Sequence, residues 1–396
     1  MNYRISKKMQ DLKPSAIREI FKALSDPTII SFAAGNPAPE SFPVDDLARL
    51  SAKIYAEEPS RALQYGITEG YPALREDVVA RLSTRFDIKP DGQMTIITSG
   101  GQQGIELLCK TMCDEGDTVI CENPSFIGAL NAFRSLGCNT VGVPLDDDGG
   151  IDLEKLEDTM KACPRAKILY LIPTFQNPAG TCMPLEKRKA VLELAKKYNI
   201  IILEDNPYGE LRFAGEEIPT IKSLDRDNMV VYSGSYSKVL SAGMRIGFIC
   251  GPEEVVTKMV VAKQVEDVHT NQFFQMLCHR YIAECDIDAH IAGIRKLYRH
   301  KCGLMLSELD RVMPDCVKYT RPEGGLFLWC TLPDNIDQSA FIKKAMEKKV
   351  AVVPGQAFNC DTSAPSQCFR LNYSTPSDEQ IIAGVGYLAD AVRSMM

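Results

Sequence analysis

Seven short runs of apolar residues, many of them β-branched, recur between residues 94 and 250 and alternate with segments of helical periodicity. Runs that are apolar at nearly every position suit strands covered on both faces, and the helices between them suit the crossover connections of parallel strands. The predicted strands are Met94–Thr98, Thr118–Cys121, Thr140–Val143, Ile168–Ile172, Ile200–Leu203, Val230–Ser233 and Ile246–Cys250. The sequence therefore predicts an α/β fold with a mostly parallel, seven-stranded sheet.

The same pattern divides the chain into three zones. Residues 1–45 are predicted to form an N-terminal arm, in which Ser15 opens a helix and a proline-rich loop surrounds Gly35. Residues 46–285 form the predicted large domain that contains the sheet. Residues 286–396 carry long helical stretches around a few strand-like runs. We expect them to form a smaller α+β domain against which the arm packs.

The charge of the chain narrows the classes of partner. It has 396 residues and a formal net charge of −7, whereas proteins that bind nucleic acids usually present a basic surface. No apolar run approaches the roughly 18 residues that a membrane-spanning helix needs. We therefore expect small-molecule ligands and neither nucleic acid nor a membrane as partners.

The 14 cysteines suggest a reducing compartment rather than a disulfide framework. The first residues lack the apolar segment of a secretory signal, which predicts a cytoplasmic protein with free thiols. There is no C-x-x-C pair, and the closest pairs in sequence are Cys109/Cys113 and Cys278/Cys285. With only four histidines in addition, the spacing predicts no metal site and favours cysteines that serve as small buried apolar residues.

Polar residues follow four of the predicted strands at their carboxyl ends, where ligands bind in α/β sheets. The strand at 94–98 leads into a glycine-rich turn over residues 99–104. This turn opens a helix and presents backbone N–H groups that suit a phosphate. Three later strands lead into segments that contain Asn177, Asp205 and Lys238. We expect these side chains to gather at one edge of the sheet.

This set of residue types predicts a particular chemistry. A lysine in such a place can form a Schiff base with an aldehyde. An aspartate that faces a pyridine nitrogen keeps this nitrogen protonated, so that the ring withdraws electrons. A serine hydroxyl, an arginine and helix-terminal N–H groups together bind a phosphate. Lys238, Asp205, Ser235 and Arg245 supply these groups, and their joint pattern indicates a site for pyridoxal 5'-phosphate (PLP).

Taken singly, these residues also fit simpler interpretations. Asp205 would serve equally as a helix or turn cap, and Lys238 as a solvated surface lysine. The turn at 99–104 has Ser99 where a dinucleotide fingerprint has its first glycine, and Glu122 stands at about the distance of the acidic partner, so a nicotinamide enzyme is an alternative. The Ser235-x-x-Lys238 spacing also occurs in serine β-lactamases, whose companion motifs are missing from this chain.

Four segments resemble, in order, those of the fold-type-I aminotransferases of classes I and II. They are Asn177-Pro178-Ala179-Gly180, Glu204-Asp205-Asn206-Pro207-Tyr208, Ser235-Tyr236-Ser237-Lys238 with Arg245, and Phe369-Arg370-Leu371. Within the family, the chain looks most like the 2-aminoadipate/kynurenine aminotransferase group and the aminotransferase-like half of GntR/MocR-type regulators. The resemblance covers essentially the whole chain. It implies the fold-type-I PLP-transferase fold and ping-pong transfer of an amino group from an L-amino acid to a 2-oxo acid such as 2-oxoglutarate.

The resemblance also implies roles for individual residues. Lys238 would hold the cofactor covalently and then move a proton during catalysis, and Asp205 would pair with the pyridine nitrogen. The other implied contacts are of Asn177 and Tyr208 with the phenolic oxygen, of Gly101, Gln102, Ser235 and Arg245 with the phosphate, of Phe126 with the face of the ring, and of Arg370, Asn177 and Gly35 with the substrate.

Two implied roles concern residues outside the predicted sheet. Tyr65 resembles a tyrosine that reaches the phosphate in the partner subunit, which implies a homodimer with shared active sites. Arg18, on the helix predicted from Ser15, resembles an arginine that receives the side-chain carboxylate of 2-aminoadipate or glutamate. Its displacement would also admit aromatic and aliphatic donors. A β-C–S lyase of the same fold and a non-catalytic PLP-sensing regulator domain stay open as alternatives.

Overall fold

A computed structural model describes residues 3–10, 26 and 28–396 of the chain. Its centre is a seven-stranded sheet with the order β2-β8-β7-β6-β5-β3-β4. These strands are β2 Gln93–Thr98, β3 Thr118–Asn123, β4 Asn139–Pro144, β5 Ala166–Leu171, β6 Ile201–Asp205, β7 Val230–Ser235 and β8 Gly247–Pro252. Only β8 runs antiparallel to its neighbours. The predicted α/β class with a mostly parallel, seven-stranded sheet is therefore confirmed.

The strand ends differ from the prediction by at most two residues. At the carboxyl edge of the sheet, β6 continues through Glu204 and Asp205 and β7 continues to Ser235, each two residues beyond its predicted end. The apolar pattern ends before these positions, but the backbone ladder continues because the polar side chains find buried partners. Tyr170 on β5 bonds to the Asp205 carboxylate, for example.

Helices cover both faces of the sheet. Those between residues 44 and 284 are α2 Val44–Glu57, α3 Pro59–Leu63, α4 Pro72–Phe86, α5 Gly101–Met112, α6 Ile127–Ser135, α7 Leu153–Ala162, α8 Leu185–Tyr198, α9 Ile221–Leu224, α10 Glu253–Glu266 and α11 Gln272–Glu284; a single turn, α1 Lys7–Gln10, precedes them. Alternate residues of β5 enter separate cores. Ile168 and Tyr170 join one buried cluster, whereas Leu169 and Leu171 join another. This alternation follows from the two-residue period of a strand.

A second, antiparallel sheet with the order β12-β13-β10-β9 lies in the C-terminal part of the chain. The elements of this part are α12 Ile287–Val312, β9 Lys318–Tyr319, β10 Phe327–Thr331, α13 Gln338–Glu347, β11 Val350–Ala351, β12 Val353–Pro354, β13 Cys368–Asn372 and α14 Asp378–Arg393. A short strand near the N-terminus, β1 Ile30–Ser31, pairs in parallel with β11. Residues close to the start of the chain are thus joined to its C-terminal part. Among the residues described, no helix is both long enough and apolar enough to span a bilayer.

Candidate active site

Lys238 lies in the turn that follows β7, at the carboxyl edge of the large sheet. Its Nζ donates a hydrogen bond of 2.7 Å to the carbonyl oxygen of Gly35, in the N-terminal segment. Burial, together with the positive charges of Arg370 and Arg245, lowers the pKa of the Lys238 amine from 10.5 to about 8. A neutral amine is therefore much more accessible near neutral pH than for an ordinary lysine, and this suits attack on an aldehyde.

Asp205 is the last residue of β6, which lies between β5 and β7 in the sheet. Its carboxylate accepts a hydrogen bond of 2.7 Å from the Tyr170 hydroxyl. Within residues 28–396, no basic side chain forms an ion pair with Asp205. Burial raises the pKa of this carboxyl from 3.8 to about 6. A buried carboxyl in this state favours a cationic ligand group, such as a protonated ring nitrogen, that restores its charged form.

The glycine-rich turn passes between Asp205 and Arg245. Gly100 has a φ of +79°, and a Cβ atom built on it would lie 2.2 Å from Nη2 of Arg245. A Cβ atom on Gly101 would lie 4.0 Å from Oδ1 of Asp205. Helix α5 begins at Gly101 with no side-chain cap on its first N–H groups. The turn thus brings uncapped backbone donors close to both side chains, an arrangement that suits an anion.

Three side chains that the sequence assigned to a phosphate lie around this turn. Arg245 is exposed, and its guanidinium makes two long contacts, of Nη2 with the Ser99 carbonyl at 3.3 Å and of Nη1 with the Ala242 carbonyl at 3.4 Å. The Ser235 hydroxyl donates a hydrogen bond of 2.9 Å to the Ser237 hydroxyl. Gln102 donates one of 2.9 Å to the Gly128 carbonyl. Arg245 therefore presents a guanidinium with most of its donors free for an anion.

Arg370 comes from β13 of the second sheet and points toward the Lys238 side of the site. It is 2% exposed and donates hydrogen bonds of 2.8 Å to the Asn177 side-chain oxygen and to the Ala33 carbonyl. Its guanidinium lies 4.1 Å from the ring centroid of Phe327. Nε of Arg370 is buried and has no partner among the described residues, and burial lowers the pKa of this group to about 10. A buried cation without a carboxylate partner is a strong site for an anion.

Asn177 links Arg370 to Tyr208. Its amide nitrogen lies 3.4 Å from the Tyr208 hydroxyl, to which it donates, while its oxygen accepts from Arg370. Burial raises the pKa of the Tyr208 phenol above its ordinary value, so that this hydroxyl stays protonated and acts as a donor. The pair therefore offers polar contacts close to both the arginine and the lysine.

Gly35 and Phe126 occupy defined places in the structure. A Cβ atom on Gly35 would lie 3.3 Å from the Phe327 ring, so glycine lets the N-terminal loop approach the second sheet closely. The Phe126 ring packs on Gly128, where a Cβ atom would lie 2.4 Å from the ring. The same Cβ atom would lie 2.6 Å from the side-chain oxygen of Gln102. Phe126 is therefore a neighbour of the phosphate-binding candidate Gln102.

One assigned residue, Tyr65, faces solvent and not this edge of the sheet. Tyr65 is 81% exposed, and its ring packs edge-on against His269 at 5.7 Å. Arg18 and the helix predicted from Ser15 lie outside the residues that the structure describes. The structure argues against the nicotinamide alternative, because Glu122, its proposed ribose-binding residue, is buried and accepts a hydrogen bond of 2.9 Å from the backbone N–H of Ile172.

Sequence reasoning missed a buried polar network behind the glycine-rich turn. Lys263 on α10 is fully buried, and its Nζ contacts Asp267 at 2.7 Å and the Gln103 side-chain oxygen at 2.9 Å. The same Gln103 oxygen accepts a hydrogen bond of 2.8 Å from the backbone N–H of Ser99. The Ser99 hydroxyl in turn donates to Asp267 at 2.8 Å. The network therefore ties the turn to α10.

These missed residues carried only faint signals. Lys263 and Asp267 stand four residues apart, a spacing that usually marks a solvated helical ion pair. Tyr170 is the only aromatic residue in an otherwise aliphatic stretch of β5. Neither feature predicts a partner more than 30 residues away, so only the fold reveals them.

The arrangement as a whole fits PLP. The reactive lysine suits the aldehyde of PLP, and the buried carboxyl, which has no cation beside it among the described residues, suits the ring nitrogen. The uncapped helix donors and the exposed arginine suit the phosphate. The second, buried arginine suits the carboxylate of an amino acid. These are the features of an enzyme that acts on amino acids through PLP.

Comparisons with known proteins agree with this reading. Residues 27–388 match the family model described as aminotransferase class I and II. The aromatic-amino-acid aminotransferase 1 of Thermococcus litoralis is 40% identical over 99% of this chain and 94% of its own length. The 2-aminoadipate transaminase of Thermus thermophilus is 39% identical over 97% and 95%. A crystal structure of Pyrococcus horikoshii kynurenine aminotransferase superposes with a TM-score of 0.94, at 38% identity over 98% of this chain and 97% of that one.

The chain therefore belongs to the class I and II aminotransferases. It is an aminotransferase that uses PLP, and it has the type-I fold of this family. The prediction of the family, the fold, the enzyme class and the cofactor from the sequence is confirmed.

Proposed function

We propose that this aminotransferase takes its amino group from a broad set of L-amino acids, including 2-aminoadipate, glutamate and aromatic or aliphatic donors, and passes it to 2-oxoglutarate. The observation that carries this proposal is the buried, carboxylate-free guanidinium of Arg370, which belongs to the same site as Lys238. The similarity to relatives named for aromatic amino acids and for 2-aminoadipate supports the breadth of the donor set.

In the proposed site, Asp205 pairs with the ring nitrogen of PLP, and Asn177 and Tyr208 bond its phenolic oxygen. The first N–H groups of α5 at Gly101 and Gln102 bind the phosphate with Ser235 and Arg245, and Phe126 packs on the ring. When bound, the cofactor supplies an aldehyde for the amino group and a ring that withdraws electrons from the substrate Cα.

Lys238 is proposed to bind the cofactor and then to act as the proton carrier. Its Nζ would take a proton from the substrate Cα and donate it to the cofactor carbon that is bonded to the substrate nitrogen. An amine with a pKa of about 8 is close to the pH at which a group can both accept and release a proton efficiently. The charge of Arg370 contributes to this lowered pKa, so the residue that binds substrate also tunes the base.

Arg370 is proposed to bind the α-carboxylate of every donor and acceptor. Its present acceptors are an amide oxygen and a backbone carbonyl, which are weaker partners than a carboxylate. A substrate carboxylate would also pair with the buried Nε that has no partner. The Phe327 ring under the guanidinium fixes its plane, and this leaves the orientation of the substrate well defined.

Arg18 is proposed to select among donors. It would receive the side-chain carboxylate of 2-aminoadipate or glutamate and would move aside for apolar side chains. Replacing it (Arg18→Ala) should lower kcat/KM for acidic donors and leave that for aromatic donors nearly unchanged. An unchanged ratio between the two donor classes would refute this role.

We also propose a homodimer with shared sites. The segment around Tyr65 carries further exposed apolar side chains, with Leu63 74% and Ile67 50% exposed. Such a patch suits a second copy of the chain, to which Tyr65 would bring its hydroxyl as a contact for the partner's phosphate. Mixing inactive Lys238→Ala with weakly binding Tyr65→Ala should restore activity, since each mixed dimer contains one intact site. No recovery on mixing would contradict the shared site.

We also propose the domain boundaries and the cellular compartment of the protein. We propose an arm over residues 1–45, a cofactor-binding domain over 46–285 and a small domain over 286–396. The pairing of β1 with β11 supports the contact between arm and small domain. A cytoplasmic location is supported by the free state of the 14 cysteines.

The central experiment records the absorbance spectrum of the purified protein before and after addition of single amino acids, with and without 2-oxoglutarate. Donors should change the cofactor spectrum, and 2-oxoglutarate should reverse the change. Lys238→Ala should abolish turnover, while Lys222→Ala, at another buried lysine, should keep it. Full activity of Lys238→Ala, or release of pyruvate and ammonia without an acceptor, would overturn the proposal.

A further inference from the structure

Three cysteine thiols meet on one side of the large sheet. Cys109 lies on α5, Cys113 directly follows this helix, and Cys138 directly precedes β4. Their three sulfur atoms all lie within 4.8 Å of one another, and the sulfurs of Cys109 and Cys138 are 3.5 Å apart. The spacing along the chain suggested no metal site, because the third cysteine is 25 residues beyond the second.

The thiol cluster, defined as Cys109, Cys113 and Cys138, lies at the end of α5 opposite to the glycine-rich turn. Helix α5 has 12 residues, so its two ends are about 18 Å apart. The cluster is therefore separate from the PLP site. Cys109 and Cys138 are 0% and 6% exposed and belong to a buried apolar core, whereas Cys113 is half-buried and leaves one side open.

The spacing of the sulfur atoms fits a single metal ion. Three thiolates that bind one ion at about 2.3 Å place their sulfurs about 4.0 Å apart when the ion lies in their plane. One observed separation is 3.5 Å and none exceeds 4.8 Å, a range that includes this value. Small rotations of the side chains are therefore enough to close the site.

The chemistry of the cluster selects the class of metal. Thiolates prefer soft or borderline cations and bind Mg²⁺ and Ca²⁺ poorly. Among the described residues, no histidine or carboxylate joins the three sulfurs. The fourth position of a tetrahedral ion is thus left to water on the side of Cys113.

We propose that Cys109, Cys113 and Cys138 form a binding site for one thiophilic divalent cation of the Zn²⁺ type, with a water molecule as the fourth ligand. The bound ion would tie the end of α5 to the start of β4. It would stabilise the fold at a place remote from the reacting atoms.

The test titrates the holoenzyme with Cd²⁺, a spectroscopic probe for Zn²⁺ sites, in the presence of a phosphine reductant. We expect one ion per chain and an ultraviolet thiolate-to-metal absorbance band. Cys113→Ser and Cys138→Ser should each weaken binding by at least about 100-fold, since they remove a direct ligand. Matched controls are Cys163→Ser, which is half-buried, and Cys278→Ser, which is buried; both should bind Cd²⁺ as the unmodified chain does.

Cys113→Ser keeps the test decisive if the change at buried Cys138 prevents folding. The cadmium NMR shift adds an independent readout, because it reports the number of sulfur ligands, for which we expect three. A wild-type affinity no higher than that of Cys113→Ser, equal losses in the control variants, or a shift that indicates two or fewer sulfurs would each overturn the proposal.

Discussion

The Arg370 guanidinium donates a hydrogen bond of 2.8 Å to the side-chain oxygen of Asn177. These residues are 193 positions apart in the chain; Arg370 lies on β13 of the second sheet, whereas Asn177 lies in the loop that follows β5. Asn177 also donates to Tyr208, so one amide joins the group proposed to bind the substrate carboxylate to a group proposed to bind the cofactor. Substrate binding and cofactor binding therefore share a contact that either ligand would alter.

Arg370→Lys should reduce kcat/KM by about 100-fold or more. A lysine offers no planar pair of donors to a carboxylate, and the loss of a buried charged contact typically costs about 2–5 kcal/mol. The measurement is steady-state kinetics with a donor and 2-oxoglutarate. Arg212→Lys is the matched control, since Arg212 is also buried over a ring, that of Phe175, but pairs with Glu323. An equal loss in both variants would argue against the proposed role of Arg370.

Asp205→Asn should stabilise the cofactor-free protein at pH 7 while weakening PLP binding. Because the Asp205 pKa is raised from 3.8 to about 6 on folding, this carboxyl favours folding at pH below 3.8. That contribution is lost as the pH rises toward 6. The shift amounts to at most about 3 kcal/mol. Denaturant unfolding of both cofactor-free proteins between pH 4 and 7 measures the difference. A variant whose advantage does not grow across this range would contradict the prediction.

The rate at which the cofactor-free enzyme captures PLP should rise with pH and level off above about pH 8. The neutral form of Lys238 is the reactive one, and its pKa of about 8 leaves about a tenth of the amine neutral at pH 7. In Arg245→Gln one of the positive charges that lower this pKa is missing, so the midpoint should move upward. Stopped-flow absorbance measures both curves. A midpoint in the range of ordinary lysine in the unmodified enzyme would contradict the structure.

Lys263→Met should weaken the binding of PLP by about tenfold, equivalent to about 1.4 kcal/mol, and leave the binding of pyridoxal nearly unchanged. The reason is that Lys263 holds Gln103 and Asp267, which in turn hold the Ser99 end of the phosphate-binding turn. Pyridoxal lacks the phosphate, so its affinity should not depend on the position of this turn. Fluorescence titration of the cofactor-free protein with both ligands gives the ratio.

Lys222→Met is the matched control for this prediction. Lys222 is also buried, but it bonds to the Val230 carbonyl at 2.7 Å, away from the turn. This variant should keep the ratio between PLP and pyridoxal. If Lys263→Met weakens both ligands equally, Lys263 serves general stability and not the position of the turn.

Much of the fold was predictable from the sequence because its signals are local. A strand covered on both faces needs an apolar residue at nearly every position, and each of the seven predicted runs forms a strand of the large sheet. The edge at which Asp205 and Lys238 lie follows from the same pattern, since parallel strands place their carboxyl ends together. Strand ends were less well predicted, as at Asp205, because a buried hydrogen bond extends the strand beyond its apolar residues.

Other features depend on contacts between distant segments and had no local signal. The Lys263 spacing to Asp267 looks like a surface ion pair, yet α10 packs so that this lysine is fully buried behind the turn. Cys138 contacts Cys109 only because the C-terminal end of α5 and the first residue of β4 lie on the same side of the sheet. Both contacts arise from the way the helices pack on the strands, which is a property of the folded core.

The sequence by itself determined the sheet, the family and the residue types of the site, since apolar periodicity and the order of motifs are properties of the chain alone. The tertiary structure decided the states of those residues. Among the described residues, it buried Arg370 away from carboxylates and Asp205 away from cations, and it placed two positive charges near Lys238. The physical reason is that burial and electrostatic fields come from the surrounding atoms, which belong to segments far apart in sequence.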